Sequence, residues 1–193
     1  MKTDKNLNYY LFWQPKTDWF KKISQTKYGN KFLIFINYII WFFLFFVSYL
    51  LIKTEMNIFW QLLFATIIGE VIEKVLKVKS FWKRPMYLNN NHIPDGLLKS
   101  WYQNGSFPSG HTIKATFFLI FILQTSFTIS PILFISIVLP LILIRIILGL
   151  HYPVDVLGGI IIGLIIGLFI GYIQFPLFLI EFIRPLFYFI FNL

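Results

Sequence analysis

Six side chains in this 193-residue sequence have types and spacings suited to chemistry: Lys77, Arg84, His111, Arg145, His151 and Asp155. Three are cations suited to an oxyanion, because arginine offers a planar fork matched to phosphate oxygens and lysine adds a compact charge. Ser109 and Gly110 precede His111 in the stretch FPSGHT, residues 107–112. Pro-Ser-Gly at a helix start frees backbone N–H groups to point at an anion, with the helix dipole behind them. Glycine lets that anion come close to the backbone. A neutral imidazole can attack phosphorus or move protons near neutral pH. His151 is followed four residues later by Asp155, about one helical turn away, so a carboxylate can fix its tautomer and stabilise the imidazolium that develops during attack. His111 has no carboxylate partner nearby and is better placed as the acid that protonates a leaving oxygen. Two histidines and an aspartate could also hold a metal, but three neighbouring cations would repel a divalent ion.

The elements that must position these residues read as membrane helices. The chain is 58% hydrophobic and 13% charged, whereas soluble domains carry about 45–50% and about 25%. Its mean hydropathy is +0.73, and several apolar runs reach the ~20 residues that cross a bilayer core. The expected fold is all-α, a polytopic membrane bundle of five transmembrane helices. The spans run Phe32–Ile52, Asn57–Leu76, Ser109–Ile129, Pro131–Leu148 and Val154–Phe175, and Pro153 suits the first turn of the last. Residues 1–31 form a basic, aromatic N-terminal segment, either an amphipathic interfacial anchor or a loose basic tail. Residues 32–175 form the membrane domain. Residues 176–193 form an apolar C-terminal helix, interfacial or a sixth crossing, with the interfacial reading favoured. Gly159, Gly163, Gly167 and Gly171 put a stripe down one face of the fifth span, where another helix can approach closely. There is no cysteine, hence no disulfide framework or thiolate metal site, and no cleaved signal peptide is expected. The formal charge of +9 reads as headgroup contact and topology signal rather than nucleic-acid binding.

Ionisable groups inside membrane segments are expensive and usually face the bundle interior. Alternate spans run in opposite directions, so the end of the second, the start of the third, the end of the fourth and the start of the fifth fall on one membrane face. The cations, histidines and Asp155 therefore converge on a single layer. Lys77 and Arg84 are read as following the end of the second span. On that span Glu70, Glu73, Lys74 and Lys77 share a helical face, with Glu73–Lys77 and Glu70–Lys74 in the favourable i,i+4 order. Glu73 either aims Lys77 at the site or only neutralises charge near lipid.

These residues fall into three motifs: KVKSFWKRP (77–85), PSGH (108–111) and RIILGLHYPVD (145–155). They resemble K-x6-R-P, P-S-G-H and S-R-x5-H-x3-D of the type 2 phosphatidic acid phosphatase family of membrane lipid phosphatases. Ile144 stands where that family usually has serine, a secondary phosphate contact. Each motif alone is a weak signal; three in order on one face are specific. The resemblance implies a lipid phosphate or pyrophosphate phosphatase working through a phosphohistidine on His151, with Asp155 orienting it and His111 as general acid. It assigns Lys77, Arg84, Ser109, Gly110 and Arg145 to the phosphate pocket, and it calls for no metal and no cofactor. The partners it implies are the bilayer and a phosphorylated lipid of the phosphatidic acid, phosphatidylglycerol phosphate or undecaprenyl pyrophosphate class. A lipid phosphotransferase on the same scaffold, or a transporter or binding protein without activity, stays open. Seven lysines in residues 1–31 would share the site's face and point it at the cytoplasm, while the resemblance points it at the outer face of the cell membrane.

Overall fold

The computed structural model describes residues 11–14, 22–23, 26, 28–79, 81–87, 105–125 and 130–191. They form six α-helices: α1 (Gly29–Thr54), α2 (Met56–Val78), α3 (Gly110–Gln124), α4 (Pro131–Ile147), α5 (Pro153–Gly171) and α6 (Leu177–Phe191), with a 3-10 turn at Pro85–Tyr87. No strand occurs among the described residues. The fold is thus all-α, as the hydropathy pattern predicts. Two segments, Lys31–Thr54 and Pro153–Gly171, are long and apolar enough to cross a membrane, whereas α3 and α4 are apolar but shorter. Most of residues 1–31, the 88–104 part of the polar loop and the 126–129 end of the expected third span lie outside the described residues.

Three boundaries differ from the sequence expectation, one being α3, which stops at Gln124 with Thr125 extended rather than running to Ile129. Lys77 lies on the last turn of α2, not beyond it, because the helix continues to Val78. The run from Glu70 to Leu76 is rich in good helix formers, and the Glu73–Lys77 pair ties the final turn together. α5 stops at Gly171 rather than near Phe175. Pro176 disfavours helical backbone at the residue before it, and two buried polar side chains of α2 satisfy the chain as it leaves. Asn57 donates to Ile173 O at 3.2 Å and accepts from Phe175 N–H at 2.9 Å. Gln61 donates to Gly171 O and Ile173 O, both at 3.0 Å. Helix ends leave carbonyls without intrahelical partners, and here α2 supplies them.

The closest helix pair is α3 against α5, and the glycine stripe makes it possible. A Cβ on Gly159 would lie 2.8 Å from Ser109 O and from Thr112 Cβ. One on Gly163 would lie 2.5 Å from Ile113 O, and one on Gly167 2.9 Å from Ile120 Cβ. No side chain fits there without prying the helices apart. Gly163→Val is therefore expected to lower the melting temperature in detergent, with a loss of about 1–3 kcal/mol typical of overpacking. Ile161→Val, on the exposed face of the same helix, should leave it nearly unchanged.

This contact also positions the chemistry. The first turns of α3 and α5 lie side by side, joined by a 3.0 Å bond from Ser109 N–H to Asp155 O. His111 and His151 are thereby brought to the same end of the bundle. The interior of the bundle holds Asn57, Gln61, Lys114 and Arg145, while Phe42, Phe45, Phe169 and Phe182 are exposed on the outside. α6 returns along α1 and α2, with Trp60 Nε1 donating to Leu179 O at 3.1 Å and the Tyr49 and Phe191 rings 5.1 Å apart.

Candidate active site

The turn between α4 and α5 fixes two of the six residues. Gly149 has φ of +71°, the left-handed conformation that favours glycine after a helix end. Its carbonyl accepts Met86 N–H at 2.9 Å. Leu150 N–H and His151 N–H both fold back onto Arg145 O, at 2.8 and 3.3 Å. Pro153 then opens α5, and the Asp155 carboxylate reaches back to Tyr152 N–H at 2.7 Å. The R-x5-H-x3-D spacing therefore spans one helix end, one tight turn and one helix start. Arg84 arrives from the segment after α2 and locks the same turn, its Nη1 donating to Leu150 O at 3.0 Å.

His151 is 1% exposed. Its Nδ1 lies 3.0 Å from Ser106 O and 3.4 Å from Asp155 Oδ2, so the proton belongs on Nδ1. The nearer acceptor is the Ser106 carbonyl, whereas the sequence suggests the Asp155 carboxylate alone. That carboxylate is already gathered by the Ser106 hydroxyl, Tyr152 N–H and Trp82 Nε1, the last at 2.9 Å. It faces the start of its own helix and acts on the imidazole partly through Ser106. Nε2 is left without a proton, 3.4 Å from Arg84 Nη1. Burial, then the charges of Arg84, Arg145 and Lys77, holds the His151 pKa well below the usual histidine value. The ring is neutral at physiological pH.

Lys77, Arg84, His111, Arg145 and His151 line one cavity of about 320 Å³, together with Gly110. Arg145 is anchored by a 2.9 Å bond from Nη1 to Asn37 Oδ1. Its buried Nε has no partner among the described residues. Buried donors are nearly always paired, and Arg145 also lines the cavity, so its guanidinium is suited to an incoming oxyanion. His111 enters from the first turn of α3, with Nε2 3.0 Å from Asn37 O and its ring edge-on to Trp41.

The model of the PAP2 superfamily matches residues 58–178, a stretch that holds all three motifs. The chain belongs to the PAP2 superfamily. It is accordingly a phosphatase-type hydrolase of phosphate esters. No curated protein and no solved structure matches the chain.

The PAP2 match begins after α1, yet α1 contributes Asn37, Tyr38 and Trp41 to the cavity wall. Asn37 holds Arg145 by its side chain and His111 by its carbonyl, a role no local spacing reveals. Asn37→Ala should lower kcat/KM about tenfold to a hundredfold, the scale of a hydrogen bond to a charged group, measured as phosphate release from a phosphate ester. Ser106 and Trp82 were equally silent in the sequence, since each reaches Asp155 only through the folded loop. Lys114 did carry a signal: it is a cation inside an apolar run, and such residues usually face a bundle interior.

Lys114 changes the expected pairing on α2. Glu70 pairs with Lys114 at 2.7 Å rather than with Lys74. Glu73 bridges Lys77 and Lys114, the latter at 3.2 Å. Lys114 also lies 4.7 Å over the Trp41 ring. Ser109 is fully buried and stands behind the cavity wall, its N–H bonded to Asp155 O and its hydroxyl accepting from Thr112 at 2.9 Å. Ile144, where the related motif has serine, packs beside Leu148 and Leu150 against Leu33 and Ile36 of α1. Phe12 packs against Trp82 and Tyr152, with ring centroids 5.0 and 5.3 Å apart. A piece of the N-terminal segment thus sits at the same end of the bundle as the cavity.

Proposed function

We propose that the protein is an integral membrane phosphatase that hydrolyses a lipid phosphate or pyrophosphate monoester through a phosphohistidine on His151, without a metal. The observation that carries this reading is the state of His151: buried, neutral, its Nδ1 proton held by Ser106 and Asp155, its Nε2 bare among cations. The Nε2 lone pair attacks phosphorus while Lys77, Arg84, Arg145 and the first turn of α3 hold the non-bridging oxygens. The bond to the leaving oxygen breaks, and His111 supplies the proton that oxygen needs. Water then attacks the phosphorus–nitrogen bond, gives a proton back to His111, and inorganic phosphate departs. Phosphoryl transfer asks mainly for positioning and charge stabilisation, and cations held in place by the fold provide both.

The lipid part of the proposal rests on polarity. A bundle with phenylalanines outside and asparagine, lysine and arginine inside suits a surround as apolar as lipid. We assign α1 to α5 as the crossings. α6 carries the Glu181–Arg184 ion pair about half exposed on its side, and charges facing hydrocarbon are expensive, so it belongs at the interface or packed on the bundle flank. The cavity walls come from α1, α2 and α3, closed by Arg84, Arg145 and His151, and a headgroup could enter this polar layer while its tail stays in the bilayer. The lysines of residues 1–31 favour a cytoplasmic site. A cysteine at Asn90, labelled by a membrane-impermeant reagent only after the membrane is opened, would agree; labelling from outside would place the site on the outer face.

The deciding experiment is purified protein tested against a panel of phosphorylated lipids. Free phosphate is expected, and a chelator should leave its rate unchanged. Loss of activity on chelation, restored by a divalent ion, would reject the metal-free mechanism. Phosphate appearing only on a second lipid, never free, would make the protein a phosphotransferase.

A further inference from the structure

The site already holds an anion of its own. Glu73 lines the cavity with the cations, one carboxylate oxygen on Lys77 and the other 3.2 Å from Lys114. Its carboxylate also packs on Gly110, where any Cβ would collide with it. Gly110 opens α3, and the first bond of that helix runs from Ile113 N–H to Ser109 O. The amides of Gly110, His111 and Thr112 precede it, and amides at such a helix start are the ones suited to an anion. Glu73 thus makes the two contacts that a phosphoryl group would make: one with a cavity lysine, one with the start of the PSGH helix.

On the phosphatase reading above, we propose that Glu73 is an internal competitor for the phosphate site, holding Lys77 and the start of α3 until a phosphoryl group displaces it toward Lys114. The exchange has somewhere to go. Lys114 already holds the second oxygen of Glu73 and is backed by Glu70 at 2.7 Å, so the displaced carboxylate keeps a partner. The charges are balanced for it as well. Four cations (Lys77, Arg84, Lys114 and Arg145) face two carboxylates in the cavity, a surplus of two positive charges that matches a phosphate monoester dianion. Three cations around a phosphate would hold the product tightly. A carboxylate returning to Lys77 weakens that hold and speeds release. A residue that only aimed Lys77 at its substrate would do the opposite, strengthening phosphate binding.

The test is the affinity for inorganic phosphate, measured by calorimetry and by product inhibition on purified wild type and Glu73→Gln in detergent. The variant is expected to bind phosphate about tenfold more tightly, the scale of one charge-assisted hydrogen bond removed from the competitor. Unchanged or weaker binding would overturn the proposal. If Glu73→Gln does not fold because Lys114 loses half its counter-charge, Glu73→Asp serves instead. It keeps a carboxylate near Lys114 but withdraws it by one methylene from Lys77 and Gly110, so tighter phosphate binding again supports competition and weaker binding again overturns it. Hydrolysis of the lipid panel by wild type reports separately on the phosphatase reading: a wild type that releases no phosphate sinks that reading, whereas a wrong direction of affinity change sinks only the role of Glu73.

Discussion

On the proposed mechanism, His151→Ala is expected to lower kcat/KM for a phosphorylated lipid by at least about a thousandfold, as loss of a nucleophile does where the remaining site still binds and stabilises charge. The size of the effect follows from what surrounds the ring. Of the two imidazoles on the cavity wall, His151 has Nε2 bare beside Arg84 and Asp155 behind Nδ1, whereas His111 has Nε2 turned to Asn37 O. Wild type quenched during turnover of a radiolabelled lipid should carry label on protein, and His151→Ala should carry none. Label persisting on the alanine variant would mean that another residue is the acceptor. Ser106→Ala should fall between the two. The Ser106 carbonyl that takes the Nδ1 proton survives the change, but the hydroxyl bonded to Asp155 is lost, and with it part of the support for the loop.

The second large effect is expected at Arg145. Alanine there should cost about a hundredfold to a thousandfold in kcat, the range seen when one preorganised donor to a developing oxyanion is removed. Lysine should recover little, because it lacks the planar fork and the second donor. The change is unusually clean. The turn that carries His151 hangs on the Arg145 carbonyl, through Leu150 N–H and His151 N–H, so trimming the side chain leaves that turn intact. What is lost is the guanidinium on the cavity wall and its bond to Asn37. A pH signature accompanies it. The Arg145 charge is one of the causes that hold the His151 pKa down, after burial and Arg84. His151 is nucleophilic only when neutral, so the acid limb of the rate profile falls as pH drops through its pKa. Wild type should therefore keep its rate down to pH values below the ordinary histidine range. Arg145→Ala should lose its residual rate at a higher pH than wild type does, with Arg145→Lys closer to wild type. An acid limb that does not move between wild type and Arg145→Ala would contradict the electrostatic account of His151.

What could be read in advance was local. The span from Arg145 to Asp155 is one helix end, a turn and a helix start, and bonds across ten residues are dictated by sequence spacing. PSGH likewise announced a helix start, and α3 does begin at Gly110. Alternating helix directions sufficed to send His111, Arg145 and His151 to one end of the bundle, because consecutive helices joined by short connections run back along one another. The glycine stripe named the face of α5 that a neighbour would approach, although not that the neighbour is α3.

The rest depended on how closely helices pack, which no spacing encodes. Asp155 lies four residues from His151, yet its carboxylate turns to Tyr152 N–H and to the Ser106 loop, because α3 sits against α5 closely enough to bring that loop within reach. Glu70 and Lys74 are neighbours on one helix, but Glu70 takes the buried Lys114 of α3, since an enclosed cation gains more from a carboxylate than an exposed one does. Asn37 joins Arg145 and His111 from a helix more than seventy residues away in sequence from either. Residue types and periodicity determined the all-helical architecture and which groups meet at one depth. The packing distances between α1, α2, α3 and α5 decided which of those groups touch, because a hydrogen bond weakens steeply over about an ångström while a helical repeat fixes only which face a side chain occupies.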